Sequence, residues 1–213
     1  MQNRILIKNI LWDFDGVILD SLAVRDYGFR EIFKDFDKAA VEKLIEYHSI
    51  NGGLSRFHKI SYFFNEILGQ EISDEEIKIY ADKFSLIMRE ELVKSKYLIL
   101  DSVNFIKENY KKYNFHIVSG SEHNELNFLC QKLQINQYFH SVNGSPTPKI
   151  ELVKNLLLKE NYKNSETILI GDSINDYEAA RLNQIDFYGY RNPQLEDVSK
   201  KYIEKFDNND FID

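Results

Sequence analysis

An α/β fold, a doubly wound parallel sheet with an α-helical insertion, is what the 213-residue sequence predicts, and three observations carry that reading. Short apolar strand signals recur at 5–13, 115–119, 167–172 and 185–190. Helix-period segments at 102–113, 122–133, 150–160 and 175–182 alternate with the later strands, which indicates βαβ units with right-handed crossovers. The stretch from about 22 to 92 instead has helical periodicity throughout, broken at 35–37, 49–53 and 69–73.

The first strand signal, 5–13, is apolar apart from Lys8 and Asn9 and stops at Asp13-Phe14-Asp15-Gly16. Buried strands end in this way when their last residues face a ligand crevice rather than the core. The helical stretch follows directly, and Ser73-Asp74-Glu75-Glu76 within it reads as an N-cap with an acidic first turn. Three or four helices are expected there, placed over the C-terminal edge of the sheet. The run Tyr62-Phe63-Phe64 reads as the core of that insertion, and the acidic tail 207–213 as a solvated end.

Composition sets bounds. The chain is 43% hydrophobic and 29% charged, enough apolar material for a sizeable core. A net charge of −7 makes nucleic acid or an anionic membrane a poor default partner. Cys130 is the only cysteine and lies in an apolar helical stretch, so no disulfide framework or thiolate metal site is expected. Met1-Gln2-Asn3-Arg4 opens no apolar leader, and no run of about twenty apolar residues occurs. A cytoplasmic protein, as a monomer or homodimer, is the expectation.

Asp13 and Asp15 are two residues apart, so on an extended chain both carboxylates lie on one side. Two anions that close call for a cation. Three later segments also end at a strand edge or helix lead-in. Ser119-Gly120-Ser121 follows 115–118 and offers a hydroxyl and bare amides suited to a phosphate oxygen, although a serine there also serves as an ordinary helix N-cap. Gly171-Asp172-Ser173-Ile174-Asn175-Asp176 puts one acid on a strand tip and a second in the next helical turn. Pro146-Thr147-Pro148-Lys149 fixes a lysine where a helix opens.

Together these segments resemble the four motifs of the haloacid dehalogenase-like superfamily, over nearly the whole chain. The resemblance implies a Rossmann-like core (1–20 and 94–213) with an α-helical cap domain (21–93), resembling the phosphoglycolate phosphatase and β-phosphoglucomutase branch. It implies Asp13 as nucleophile forming an aspartyl-phosphate and Asp15 as general acid and base. Ser119 and Gly120 would hold phosphate oxygens, and Lys149 would neutralise Asp13 and the phosphoryl group. Asp13, Asp172 and the main-chain carbonyl of Asp15 would bind Mg²⁺, a fit for hard oxygen donors. Asp176 would orient Lys149 or a metal-bound water. One departure stands out: relatives commonly have Lys followed by Pro at the third motif, whereas here Pro148 precedes Lys149.

The implied activity is a Mg²⁺-dependent phosphatase acting on a small phosphorylated metabolite. The alternatives are a phosphosugar mutase and a non-catalytic phospho-ligand-binding protein. Dehalogenation is disfavoured, because halide needs no proton and Asp15 supplies one. Within the insertion, His48-Ser49-Ile50-Asn51-Gly52-Gly53-Leu54-Ser55-Arg56-Phe57-His58-Lys59 stands out. Arg56 and Lys59 are candidates for contacting an anionic substrate, against the plainer reading of a solvated interhelical turn. Arg25 is either a further contact at the base of the insertion or a surface ion-pair former.

Overall fold

The computed structural model describes residues 6–206. Ile5, where the first strand signal begins, and the acidic tail 207–213 lie outside the described residues. Six parallel strands form one sheet in the order β3-β2-β1-β4-β5-β6. They are β1 (Asn9–Trp12), β2 (Asn114–Glu122), β3 (Ser141–Ser145), β4 (Thr167–Gly171), β5 (Asp186–Tyr190) and β6 (Lys201–Ile203). Helices α5 (Leu100–Asn109), α6 (His123–Lys132), α7 (Lys149–Lys159) and α8 (Ile174–Leu182) connect them.

Alternate residues of the central strands serve opposite faces, as the pleat requires. Ile10, Trp12, Phe115 and Ile117 join the core under α5 and α6, with Leu126, Leu129 and Cys130 of α6 filling it. Leu11, Val118 and Leu169 pack with Val153, Leu156, Ala179 and Ala180 of α7 and α8. Burial on both faces explains why β1 and β4 read as nearly continuous apolar runs, at 10–12 and 168–170.

The chain leaves β1 toward β2 on one side and returns through β4 on the other. The carboxyl ends of β1 and β4 therefore flank the switch point where such sheets form a crevice. Asp13 follows β1, Asp172 follows β4, and the Asp13 amide donates to the Ile170 carbonyl at 2.9 Å.

Between β1 and β2 lie α1 (Leu22–Ile32), α2 (Lys38–Ile50), α3 (Arg56–Tyr62) and α4 (Asp74–Glu91), with a π-helical segment over Phe63–Leu68. The breaks fall in the places the sequence indicates. Asp37 and Ser55 cap α2 and α3, and Ser73 forms a capping box with Glu76 at the start of α4. Phe33 stacks on Phe63 with centroids 4.2 Å apart, and Phe29 packs on Phe84, so the aromatic run is core, as expected. Two short segments join insertion and sheet: the Asp20 amide donates to Tyr97 and the Ile99 amide to Ile18, both backbone carbonyls.

Two strands escape the sequence reading. Ser141–Ser145 is largely polar and only partly buried, and Lys201–Ile203 is three residues long, so neither carries a period-2 apolar signal. The first strand is shorter than expected, since Leu6–Lys8 precede it as coil.

Candidate active site

Four segments converge at the switch point. Lys149 is the first residue of α7, and its ammonium donates to Asp13 Oδ1 at 2.7 Å and also to Asp176 Oδ1. Asp176 lies in the first turn of α8, and its other oxygen accepts from the Ser173 amide at 3.0 Å and hydroxyl at 2.7 Å. That double anchor fixes the Asp176 carboxylate, which in turn orients Lys149. Pro148 sits at the N-cap and starts α7 where its first side chain reaches β1, so placing the proline before the lysine does not keep the ammonium out of the site.

Asp13, Asp172 and Asp176 each offer an oxygen within 4.8 Å of the others. Gly16 makes room for this: it has φ +77°, and a Cβ there would lie 1.9 Å from Asp172 Oδ2. Burial first, then the negative charge of Asp176, pushes Asp13 up to about 7 despite Lys149. Asp172 is raised well above its ordinary value by burial and by Asp13. Lys149 is held above its usual range by Asp13 and Asp176, against the effect of burial. Three clustered carboxylates and a single ammonium leave excess negative charge, and every donor is a hard oxygen. The set fits a hard divalent cation.

Asp15 does not join that cluster through its carboxylate. Its Oδ1 accepts from the Ser21 hydroxyl and from Arg25 Nε at 2.7 Å, and its Oδ2 from the Ser121 hydroxyl at 2.5 Å. Burial would raise it, but Arg25 and the serine hydrogen bonds hold it below the ordinary carboxylate range. Ser119 is buried, and its Oγ accepts from the Ser121 amide at 3.1 Å. Neither serine caps α6; Glu122 does, accepting from the amides of Asn124 and Glu125. β2 itself runs on to Glu122 through an irregular stretch after Val118, and Gly120 and Ser121 of that stretch line a cavity beside Asp15.

The insertion closes over these residues. A Cβ on Gly120 would lie 2.4 Å from the Gly53 carbonyl oxygen, so the glycine loop rests directly on the 119–121 segment. Arg56 points inward, not to solvent. It donates to Glu125 through Nη1 at 2.5 Å and Nη2 at 2.6 Å, to Ser85 at 2.7 Å, and lies 4.6 Å from the Phe84 ring centroid. Lys59 is equally buried and donates to His48 Nδ1 at 2.7 Å and the Gly52 carbonyl at 3.3 Å. Burial first, then Arg25, pushes Lys59 down to about 7. His48 is driven down to about 2 by burial and Lys59, so it is the neutral acceptor.

Arg25 is neither at the surface nor in a plain ion pair: it is buried, and links Asp15, Ser121 (2.7 Å) and Glu125 (3.4 Å). A cavity of about 20 Å³ remains between Asp15, Gly120, Arg56 and Lys59. A cleft of about 700 Å³, bordered by Asp15, Gly16, Asp172, Ile50 and Asn192, opens from the same place to solvent.

Glu125 carries no signal in the sequence, and nothing there gives Ser21 or Ser121 a part in holding Asp15, or His48 a part in holding Lys59. Glu125 in particular looks like an ordinary acidic first-turn residue. For Arg25 the sequence leaves a contact at the base of the insertion and a surface ion pair equally open.

A doubly wound parallel sheet, a carboxylate cluster at its switch point and a helical insertion across the opening define an α/β protein with a capped acidic site. The chain belongs to the haloacid dehalogenase-like hydrolases, whose family model matches residues 10–190. No curated protein matches it. Among solved structures it is similar to a β-phosphoglucomutase from Clostridium difficile (17% identity, TM-score 0.74, 94% of this chain and 92% of that one). It is also similar to a predicted phosphoglycolate phosphatase from Haemophilus somnus (16%, TM-score 0.73, 93% and 94%). A hydrolase from Pseudomonas syringae is alike in the same way (17%, TM-score 0.75, 93% and 94%). At these identities the likeness is one of fold. Among the described residues no helix is long and apolar enough to cross a membrane.

Proposed function

We propose that the protein is a Mg²⁺-dependent phosphatase of small phosphorylated metabolites, working through an aspartyl-phosphate on Asp13. The observation that carries this reading is the separation of the two acids of the pair. Asp13 lies in a carboxylate–lysine cluster, while Asp15 is held apart by Arg25, Ser21 and Ser121.

In the first step an Asp13 carboxylate oxygen forms a bond to phosphorus and the bond to the leaving alkoxide oxygen breaks. Lys149 offsets the charge of Asp13 and of the phosphoryl oxygens, and Ser119 with the Gly120 amide holds two of those oxygens. Asp15 gives a proton to the leaving oxygen, for which it must be protonated and released from Arg25. In the second step Asp15, ionised as it is held here, takes a proton from the attacking water; the new P–O bond forms and the Asp13–phosphorus bond breaks. Asp13, Asp172 and the Asp15 carbonyl would hold Mg²⁺, which supplies charge neutralisation at the phosphoryl group. Asp176 positions Lys149. The leaving group faces the insertion, acting as a cap, where Lys59 is a buried ammonium whose hydrogen-bond partners are neutral.

Release of inorganic phosphate from a panel of glycolate, sugar and nucleotide monophosphates, with and without Mg²⁺, tests the proposal. Asp13→Asn is expected to abolish release. Phosphate release by that variant at the wild-type rate refutes the covalent route, and isomerisation of a sugar phosphate without net release identifies a mutase instead.

A further inference from the structure

Glu125 is the most deeply buried acid outside the carboxylate cluster that is paired to the insertion, with no measurable exposure. It leaves α6, on the sheet side of the molecule, and lies behind the cavity beside Asp15, against the Arg25 and Arg56 side chains that line it. There it takes both Nη groups of Arg56 and one of Arg25. Arg56 has little left to offer: its face is covered by Phe84 and Nη1 also serves Ser85. The charges around the cavity therefore balance almost completely. Arg25 and Arg56 are matched by Asp15 and Glu125, and among the described residues lining the cavity Lys59 is the cation left over. A carboxylate supplied by the protein thus occupies the arginine fork that a second anionic group on a substrate would otherwise claim.

We propose that Glu125 is a specificity residue that limits the leaving group to at most one negative charge and excludes leaving groups carrying a second phosphoryl group. The inference rests on the phosphatase reading, and it narrows the substrate class to monophosphate esters of neutral or singly anionic alcohols. A second phosphoryl group is a dianion and needs two cations where it lies beside buried carboxylates. With Arg56 committed to Glu125, Lys59 is the one cation left for it among the described residues lining the cavity. The same pairing disfavours a mutase, whose sugar must carry two phosphoryl groups when the aspartyl-phosphate is handed back to a sugar phosphate.

The bond also ties α3 of the insertion to α6 of the sheet, so the cavity wall assembles without waiting for a substrate anion. Removing the Glu125 charge leaves Arg56 as a buried cation, which an added anion then neutralises. The prediction is a gain of anion binding rather than a loss.

Two measurements test this. In the wild type, kcat/KM for fructose 1,6-bisphosphate is expected to fall at least 100-fold below that for fructose 6-phosphate. Comparable values overturn the proposal whether or not any variant folds. In Glu125→Gln the ratio of the two is expected to shift toward the bisphosphate by tenfold or more, and sulfate is expected to raise its melting temperature by several degrees more than that of the wild type. Arg56→Met/Glu125→Leu, which removes both charges, is expected to show neither change. A folded Glu125→Gln with the wild-type ratio and sulfate response overturns the assignment. Because the sulfate response needs no turnover, a protein inactive on every ester sinks the phosphatase reading without touching the role given to Glu125.

Discussion

Lys149 and Asp13 are 136 residues apart in sequence, yet the lysine ammonium donates to the Asp13 carboxylate at 2.7 Å with both side chains almost fully buried. Asp176 receives the same ammonium. Breaking such an arrangement from the lysine side leaves two carboxylates facing each other without their cation.

Lys149→Met is therefore expected to lower kcat by at least about 100-fold, in the range seen when one preorganised charge-stabilising donor is removed. Removing one partner of a buried pair costs about 3–5 kcal/mol of stability, so the melting temperature is expected to fall as well. Steady-state kinetics on a variant shown by circular dichroism to be folded is the check, and wild-type turnover removes Lys149 from the site.

The carboxylate cluster makes a separate prediction about metal. Burial and mutual repulsion raise both Asp13, to about 7, and Asp172, so in the metal-free protein protons compete for the same oxygens. A carboxylate whose folded value is raised favours folding below its unfolded value and loses that contribution as pH rises through the folded one. Mg²⁺ is accordingly expected to raise the melting temperature more at pH 8 than at pH 5.5, and a chelator to abolish the difference. An equal Mg²⁺ effect at both values contradicts binding at this cluster.

Much of this site was legible in the chain because each main residue ends an apolar run. Asp13 and Asp172 stand where β1 and β4 stop, and strand ends at a switch point are where side chains meet a crevice. Lys149 was marked by two nearby prolines that fix a helix start. The fold followed from the same alternation, apart from β3, whose Ser-Val-Asn-Gly-Ser run has no apolar period, and the three-residue β6. The second ring of residues was not legible. Arg25, Glu125 and His48 take their meaning from contacts across 96, 69 and 11 residues, to Ser121, Arg56 and Lys59. A cation on a helix or a glutamate in a first turn is ordinarily solvated, and local pattern contains nothing to say that a partner from another element has buried it.

The contact between the glycine loop and the 119–121 segment is a point of closure. A Cβ on Gly120 would meet the Gly53 carbonyl oxygen at 2.4 Å, and backbone on that side has no flexible end to yield. Gly120→Ala is expected to push the loop away from the sheet and admit water, lowering kcat/KM by about tenfold or more, since small misplacements at a site can cost about 100-fold. The melting temperature is expected to change by only a few degrees. Unchanged kinetics in a folded variant indicates that the loop is not held against this segment during turnover.

Lys59 gives the last prediction, and it concerns both binding and stability. Its folded value of about 7 lies below its ordinary 10.5 because burial, followed by Arg25, disfavours the charged form. Below about 7 the ammonium is charged in the folded and unfolded states alike, and the full cost of burying it is present. As pH rises from about 7 toward 10.5 the folded state holds fewer protons than the unfolded one, so that cost declines. Lys59→Met is expected to melt at a higher temperature than the wild type at pH 6, with the gap narrowing by pH 9. An anionic leaving group reverses the preference, because it is bound by the charged form. For an ester whose alcohol carries a carboxylate, the wild-type KM is expected to rise as pH climbs above about 7. The KM of Lys59→Met should be high and lack that rise, while an ester of a neutral alcohol shows little difference between the two proteins. A higher melting temperature without the change in KM would make Lys59 a buried cation with no part in recognition. Loss of the KM rise together with the stability gain identifies it as the group that reads the leaving group's charge.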